Sequence, residues 1–135
     1  MYAIKVQIQD PNAKSWIFPE QKTMYGGKQI AAGDPIFIFA SENHGGSGLI
    51  ARGIVTRAEA VPGKPGIARQ TPRVSITVKR TADARRPLGR NELKSFGNWD
   101  DGRPETELNF KFHRQATDKI VGLSDQAGAF LRSFF

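Results

Sequence analysis

The sequence predicts a mainly β fold of the α+β kind, a mixed or antiparallel sheet curled into a barrel with short helices beside it and one helix at the C-terminus. Two observations predict it. Short apolar segments with strand-like patterning recur along most of the chain, each closed by Gly, Pro, Asn or Asp, whereas helical spacing is confined to two segments. At 135 residues the chain is long enough for one domain with a real core and too short for two comfortable ones.

The elements follow in order. Tyr2, Ile4, Val6 and Ile8 alternate with Ala3, Lys5 and Gln7 and stop at "DPN", a strand and its turn. "KSWIF", with Trp16, reads as loop. "PIFIFA" (Pro35 to Ala40) is a continuous apolar run after a "GD" turn, suited to a strand buried on both faces. "LIARGIVTRA" is a long strand in which Gly53 marks a bulge or a close backbone approach, and "VPGKPG" ends it in a loop. "RVSITVKR" turns Val74, Ile76 and Val78 inward, and "LNFKFH" does the same with Leu108, Phe110 and Phe112 as a fifth strand. "NELKSF" predicts a short helix capped by Asn91. The C-terminal helix starts at Ser124, and Ala127, Phe130, Leu131 and Phe134 form its core stripe. The chain ends one residue past that stripe, the expectation for a single domain, 1–135, standing as the N-terminal module of a longer protein.

Charge narrows the partners. Twenty Lys and Arg against thirteen Asp and Glu give a formal net charge of +7, which favours polyanions through long-range attraction and counterion release. The excess is concentrated: Arg69, Arg73, Lys79, Arg80, Arg85, Arg86 and Arg90 face only Asp83 over that stretch. A strand presents cations to phosphates more firmly than a disordered tail does, so Arg73, Lys79, Arg80, Arg85 and Arg86 are the expected phosphate contacts. The chain has no Cys, which excludes disulfides and thiolate metal sites and suits a reducing cytosol. No apolar run approaches the ~20 residues needed to span a bilayer, and the first ten residues alternate instead of forming a signal peptide's apolar centre. The expected location is cytoplasmic, with no membrane partner.

Two polar groups follow apolar strands. Ser41, Glu42 and Asn43 leave "PIFIFA" just before a Gly-rich turn, and Arg114, Gln115 and Thr117 follow "LNFKFH". A rigid strand ending in an open loop can hold hydrogen-bonding groups towards a ligand, although such a loop can equally be a solvated connection. Gln presents donor and acceptor together to a base edge, and Arg clasps a phosphate or stacks on a base. An aromatic ring can also offer a base a flat surface to stack on, worth about 1–3 kcal/mol. Trp16 and Trp99 are the only tryptophans; each can wall a base or cover the core.

The order of these segments resembles the EVE domain of the PUA-like superfamily. The resemblance is carried by "MYAIKV", "GDPIFIFAS", "GLIARGIVTRAEAVPG" and "RVSITVKRT" followed by "RRPLGRNELK". The closing "FKFHRQATDKIVGLSDQAGAFL" is similar to EVE modules fused to HNH-type nucleases in modification-dependent restriction proteins. The resemblance implies a PUA-like curled barrel of about five or six strands, with a pocket that takes one flipped modified base, as related YTH domains do. It places the end of the second apolar strand at that pocket, so Ser41, Glu42 and Asn43 would read the base edge, beside Trp16, Trp99, Arg114, Gln115 and Thr117. The implied ligand is 5-methylcytosine or 5-hydroxymethylcytosine in double-stranded DNA; a PUA-like module acting on modified tRNA or rRNA is the alternative.

Catalytic signals are weak. His44 and His113 are the only histidines, and neither a zinc-hydrolase, nucleophile-elbow nor phosphate-loop motif occurs. Asp100, Asp101, Glu105 and Glu107 read as a solvated loop. No catalytic residue, metal or cofactor is expected, and any nuclease activity is assigned to a separate C-terminal domain.

Overall fold

The computed structural model describes residues 1–115 and 118–135; of Gln115 it describes the backbone only. Six strands, β1 (Tyr2–Val6), β2 (Ser15–Met24), β3 (Pro35–Ala40), β4 (Gly48–Ala60), β5 (Arg73–Asp83) and β6 (Lys119–Gly122), close into a barrel in the order β1-β3-β4-β5-β2-β6. β1 runs parallel to β3 and β2 parallel to β6, while the remaining pairs are antiparallel. Closure leaves no unpaired sheet edge. Three short helices, α1 (Arg90–Leu93), α2 (Pro104–Phe110) and α3 (Asp125–Arg132), complete the fold, and α2 runs into a π-helical turn at Lys111–Gln115.

The alternation of β3 explains the two cores. Ile36 and Ile38 point into the barrel with Ile4, Val55, Ile76 and Val78, whereas Phe37 and Phe39 point outward to pack with Leu93, Leu108, Phe112, Leu131 and Phe134. A strand apolar on both faces is therefore the hinge between barrel and helical layer. The Phe39 and Phe112 rings lie 4.6 Å apart, and truncating a ring so buried costs about 3–5 kcal/mol. Gly53 sits at a register shift where a Cβ would come within 2.5 Å of the Lys79 carbonyl oxygen, the close approach its place in the strand predicts.

Three expectations are corrected. Trp16 is not in a loop: it lies on β2, where Trp16 and Phe18 point into the barrel and Ser15 and Ile17 point out. Pro19 hid this strand, because Pro is excluded from regular ladders; here it sits at a bulge between Phe18 and Gln21, with Glu20 at φ 49°. "LNFKFH" is helical: Leu108 and Phe112, four apart, share the buried face, while Phe110 turns aside. Pro104 at the first turn, its Pro-compatible position, starts that helix. Finally, the cap of α1 is Gly89, two residues before the expected Asn91, with the Glu92 carboxylate accepting from Gly89 N–H at 2.7 Å. The Ser124 cap is as expected, its hydroxyl accepting from Ala127 N–H at 3.1 Å.

Candidate nucleic-acid interface

Strand register gathers one end of the barrel. Val6 on β1 pairs with Ala40 on β3, Ala40 with Gly48 on β4, and Ala51 on β4 with Asp83 on β5. The segments leaving these strands, 41–47 and 84–89, therefore meet at the same mouth. Gly48 locks them together: at φ +87° its Cα lies where a Cβ would stand 2.3 Å from the Leu88 carbonyl oxygen.

A charged cluster sits there, on the outer face of the sheet. Lys5, an outward position of β1, is 1% exposed. Its ammonium donates to the Phe112 carbonyl at 3.3 Å and lies 3.3 Å from Glu42 Oε1, an ionic contact rather than a directed hydrogen bond. Glu42 Oε2 accepts from Arg90 N–H at 2.6 Å and lies 3.6 Å from His113 Nε2. The Arg90 guanidinium donates to Asn43 Oδ1 at 3.0 Å. Ser41 Oγ is buried with no hydrogen-bond partner among the described residues.

The electrostatics follow from burial. Enclosure lowers the Lys5 pKa, with Glu42 opposing the fall. Burial disfavours charge on Glu42, but the Arg90 N–H and the Lys5 ammonium outweigh it and hold the carboxyl below its usual range. Burial first, then the positive Lys5, lowers His113 to about 4, against the pull of Glu42. At neutral pH the site holds one ammonium, one carboxylate and a neutral imidazole.

The turn before α2 supplies the flat surface. Trp99, 39% exposed, meets Phe110 edge to face at 5.2 Å, and the Arg114 guanidinium stands 5.4 Å from the Trp99 ring. The π turn at the end of α2 carries both His113 and Arg114. Of the residues expected at the pocket, Glu42 and Asn43 join one network, Ser41 precedes them with its hydroxyl outside it, and Trp99 pairs with Arg114. Trp16 does not join them: it lies inside the barrel, donating its indole N–H to the Asp10 carbonyl at 3.1 Å. Thr117 and the side chain of Gln115 lie outside the described residues.

The expected phosphate contacts divide. Beside the mouth runs a groove of about 420 Å³ bordered by Asn12, Ser47, Arg80, Arg85 and Arg86. Arg85 and Arg86 are exposed, Arg86 lying 4.1 Å over the Phe134 ring and donating to Ser133. Arg80 is corrected: its guanidinium is spent on the Ala13 and Pro11 carbonyls and on Asp83, and lies 4.5 Å over Trp16, holding the β1–β2 loop to β5. Lys79 is exposed opposite Ser15. Arg73, at the far end of β5 and about 23 Å from Arg80 along an extended strand, donates to the Glu20 carbonyl beside a separate cleft under the 61–72 loop.

Sequence reasoning missed Lys5, Arg90, Asn109 and His113 as members of the site. Lys5 carried no signal, because alternation with Ile4 and Val6 sets it on the outward face of its strand, where a lysine is ordinarily solvated. The acidic loop is corrected in two members: Glu105 and Glu107 are on α2, where Glu107 accepts from Ser124 N–H at 2.9 Å and pairs with Lys111 at 3.1 Å, tying α2 to the start of α3. Among the described residues no group of three or more His, Asp or Glu is placed to hold a metal ion, and no helix is long and apolar enough to cross a membrane.

No protein-family model matches the chain, and no curated protein matches it significantly. Solved structures do. The DUF55 domain of human thymocyte nuclear protein 1 superposes with a TM-score of 0.64 at 16% identity, covering 98% of this chain and 96% of that one. Human THYN1 protein in complex with 5-methylcytosine-containing DNA superposes with a TM-score of 0.67 at 17% identity, covering 98% and 95%. The fold is PUA-like. The PUA-like barrel explains the placement of the cluster: β3 leaves the barrel at the mouth, and the helical layer closes over the outward face of β1.

Proposed function

We propose that this PUA-like domain binds double-stranded DNA and holds one flipped, modified base, most simply 5-methylcytosine or 5-hydroxymethylcytosine, at the mouth beside Trp99. It would serve as the specificity module of a restriction system in the cytoplasm, with any cleavage carried out by a fused or associated nuclease. The observation that carries this reading is the buried Lys5 ammonium held against the Glu42 carboxylate, which also accepts from the Arg90 N–H at the mouth. Such a network costs desolvation free energy that apolar residues would avoid. Fixed polar groups beside a stacking surface are what a single extruded base requires. The Arg85–Arg86 groove adds cations for the backbone on either side of that base. A human structural neighbour solved with 5-methylcytosine-containing DNA supports the same ligand class.

The test is equilibrium binding to matched oligonucleotides, plain and modified, as duplex DNA and as RNA. Tighter binding to the modified duplex is expected. Equal binding to plain and modified duplexes refutes modified-base reading, and a preference for RNA transfers the domain to the tRNA or rRNA class.

A further inference from the structure

The hydrogen bonds around His113 fix which of its nitrogens carries the proton. Asn109 donates its side-chain Nδ2 to the Phe96 carbonyl at 3.1 Å. A carbonyl can only accept, so the amide oxygen of Asn109 is the atom that faces His113 Nδ1, at 3.2 Å. Nδ1 must therefore be the donor, and in the neutral ring Nε2 is left with a lone pair and no hydrogen. That lone pair faces Glu42 Oε2 at 3.6 Å. Two acceptors confront each other: Oε2 already accepts from the Arg90 N–H, while the Arg90 guanidinium is directed to Asn43 and the Lys5 ammonium to Phe112, so among the described residues no donor is paired with Nε2. The His113 and Glu42 side chains are 11% and 17% exposed, largely enclosed but not sealed.

We infer that His113 Nε2 and Glu42 Oε2 form a paired acceptor that reads the exocyclic amine of a cytosine-type base, making His113 a specificity-determining residue. The inference rests on the nucleic-acid reading above and goes further, to the base and the atoms that select it. At 3.6 Å the two acceptors are close enough to share one N–H in a three-centre bond. An exocyclic amine projects from the ring and can enter between them. The only Watson–Crick donor of thymine, its imide N–H, is recessed between two carbonyl oxygens, which would meet the same acceptors first. A thymine would bring a third acceptor against these two and leave Nε2 unpaired. The depressed basicity of His113 keeps the lone pair free at neutral pH.

The test compares duplexes that differ at one position: 5-methylcytosine opposite guanine, cytosine opposite guanine, and thymine opposite guanine. The first and third ligands differ in the amine, which becomes a carbonyl, and in the ring nitrogen beside it. The mismatched thymine is also easier to extrude, which biases the comparison against the inference. Binding at least tenfold tighter to 5-methylcytosine than to thymine is expected. Glu42→Gln can turn an amide N–H towards the carbonyl, and should bring that ratio within threefold; His113→Gln provides a second variant should the first fail to fold. Equal binding of the 5-methylcytosine and thymine duplexes by the parent overturns the inference, as does a ratio unchanged in both folded variants. A tenfold preference for both cytosine duplexes over thymine, without discrimination between them, supports the paired acceptor while refuting the modified-base reading. Absence of binding to every duplex overturns both.

Discussion

The enclosed imidazole of His113 makes the domain's stability depend on pH in a direction that can be worked out. In the folded protein its pKa is lowered to about 4, against 6.5 in an unfolded chain, because burial and the Lys5 ammonium penalise the charged ring more than Glu42 rewards it. As pH falls below 6.5 the unfolded state takes up the proton first, so unfolding is favoured. The loss grows until the folded ring also protonates near pH 4 and is constant below that. A displacement of that size corresponds to about 3 kcal/mol in full, of which about 2.5 kcal/mol is expressed on going from about pH 7.5 to about pH 4.5. Glu42 and Glu107, whose pKa values are lowered from 4.5, contribute stability that is lost as pH falls through their folded values, so most of their effect lies below the same window. The assay is urea unfolding followed by tryptophan fluorescence at the two pH values, for the parent and for His113→Gln, which removes the titrating group. The parent should lose roughly 2 kcal/mol more than the variant between the two conditions. Equal losses in both proteins would refute the enclosed, neutral imidazole and, with it, the lone pair on Nε2.

The two tryptophans should separate by assay: Trp99→Ala is expected to cost about 1–3 kcal/mol in binding modified DNA with little change in stability, and Trp16→Ala about 3–5 kcal/mol in stability, read by thermal or urea unfolding. Replacing Arg85 and Arg86 together should weaken plain and modified duplexes alike and flatten the log–log salt dependence by about 0.9 for each phosphate no longer neutralised. Arg73→Ala, about 23 Å from Arg80 along β5, serves as the comparison and should leave that slope unchanged.

What the sequence made legible is what local pattern determines. The existence of β1, the alternation of β5, the doubly apolar β3, the Gly53 approach and the Ser124 cap all follow from neighbours within a few residues and appear in the fold as expected, whereas β1 is buried on both faces instead of alternating. The errors have physical causes. Pro19 interrupts β2 where a bulge accommodates it, and Leu108, Phe110 and Phe112 satisfy a period of two while Leu108 and Phe112 also satisfy a helical spacing of four. The site was half legible for a different reason. Ser41, Glu42 and Asn43 announce themselves as polar groups at the end of an apolar strand, but what they do depends on Lys5, Arg90 and His113, which lie between 37 and 71 positions away from Glu42 in the chain.

That long-range dependence also decides how the charged residues sort. In sequence Arg73, Lys79, Arg80, Arg85 and Arg86 form one run of cations, and a run invites one role. The barrel assigns them different ones, because β5 carries its two ends to opposite sides of the molecule and because Arg80 finds carbonyls at Pro11 and Ala13 that a local reading cannot see. A guanidinium whose donors are filled by backbone holds structure, whereas an exposed one beside an open groove remains available to an anion. The same accounting, applied to acceptors, singles out His113 and Glu42. Donors and acceptors that cancel inside the protein build the mouth; those left over define what the mouth can hold.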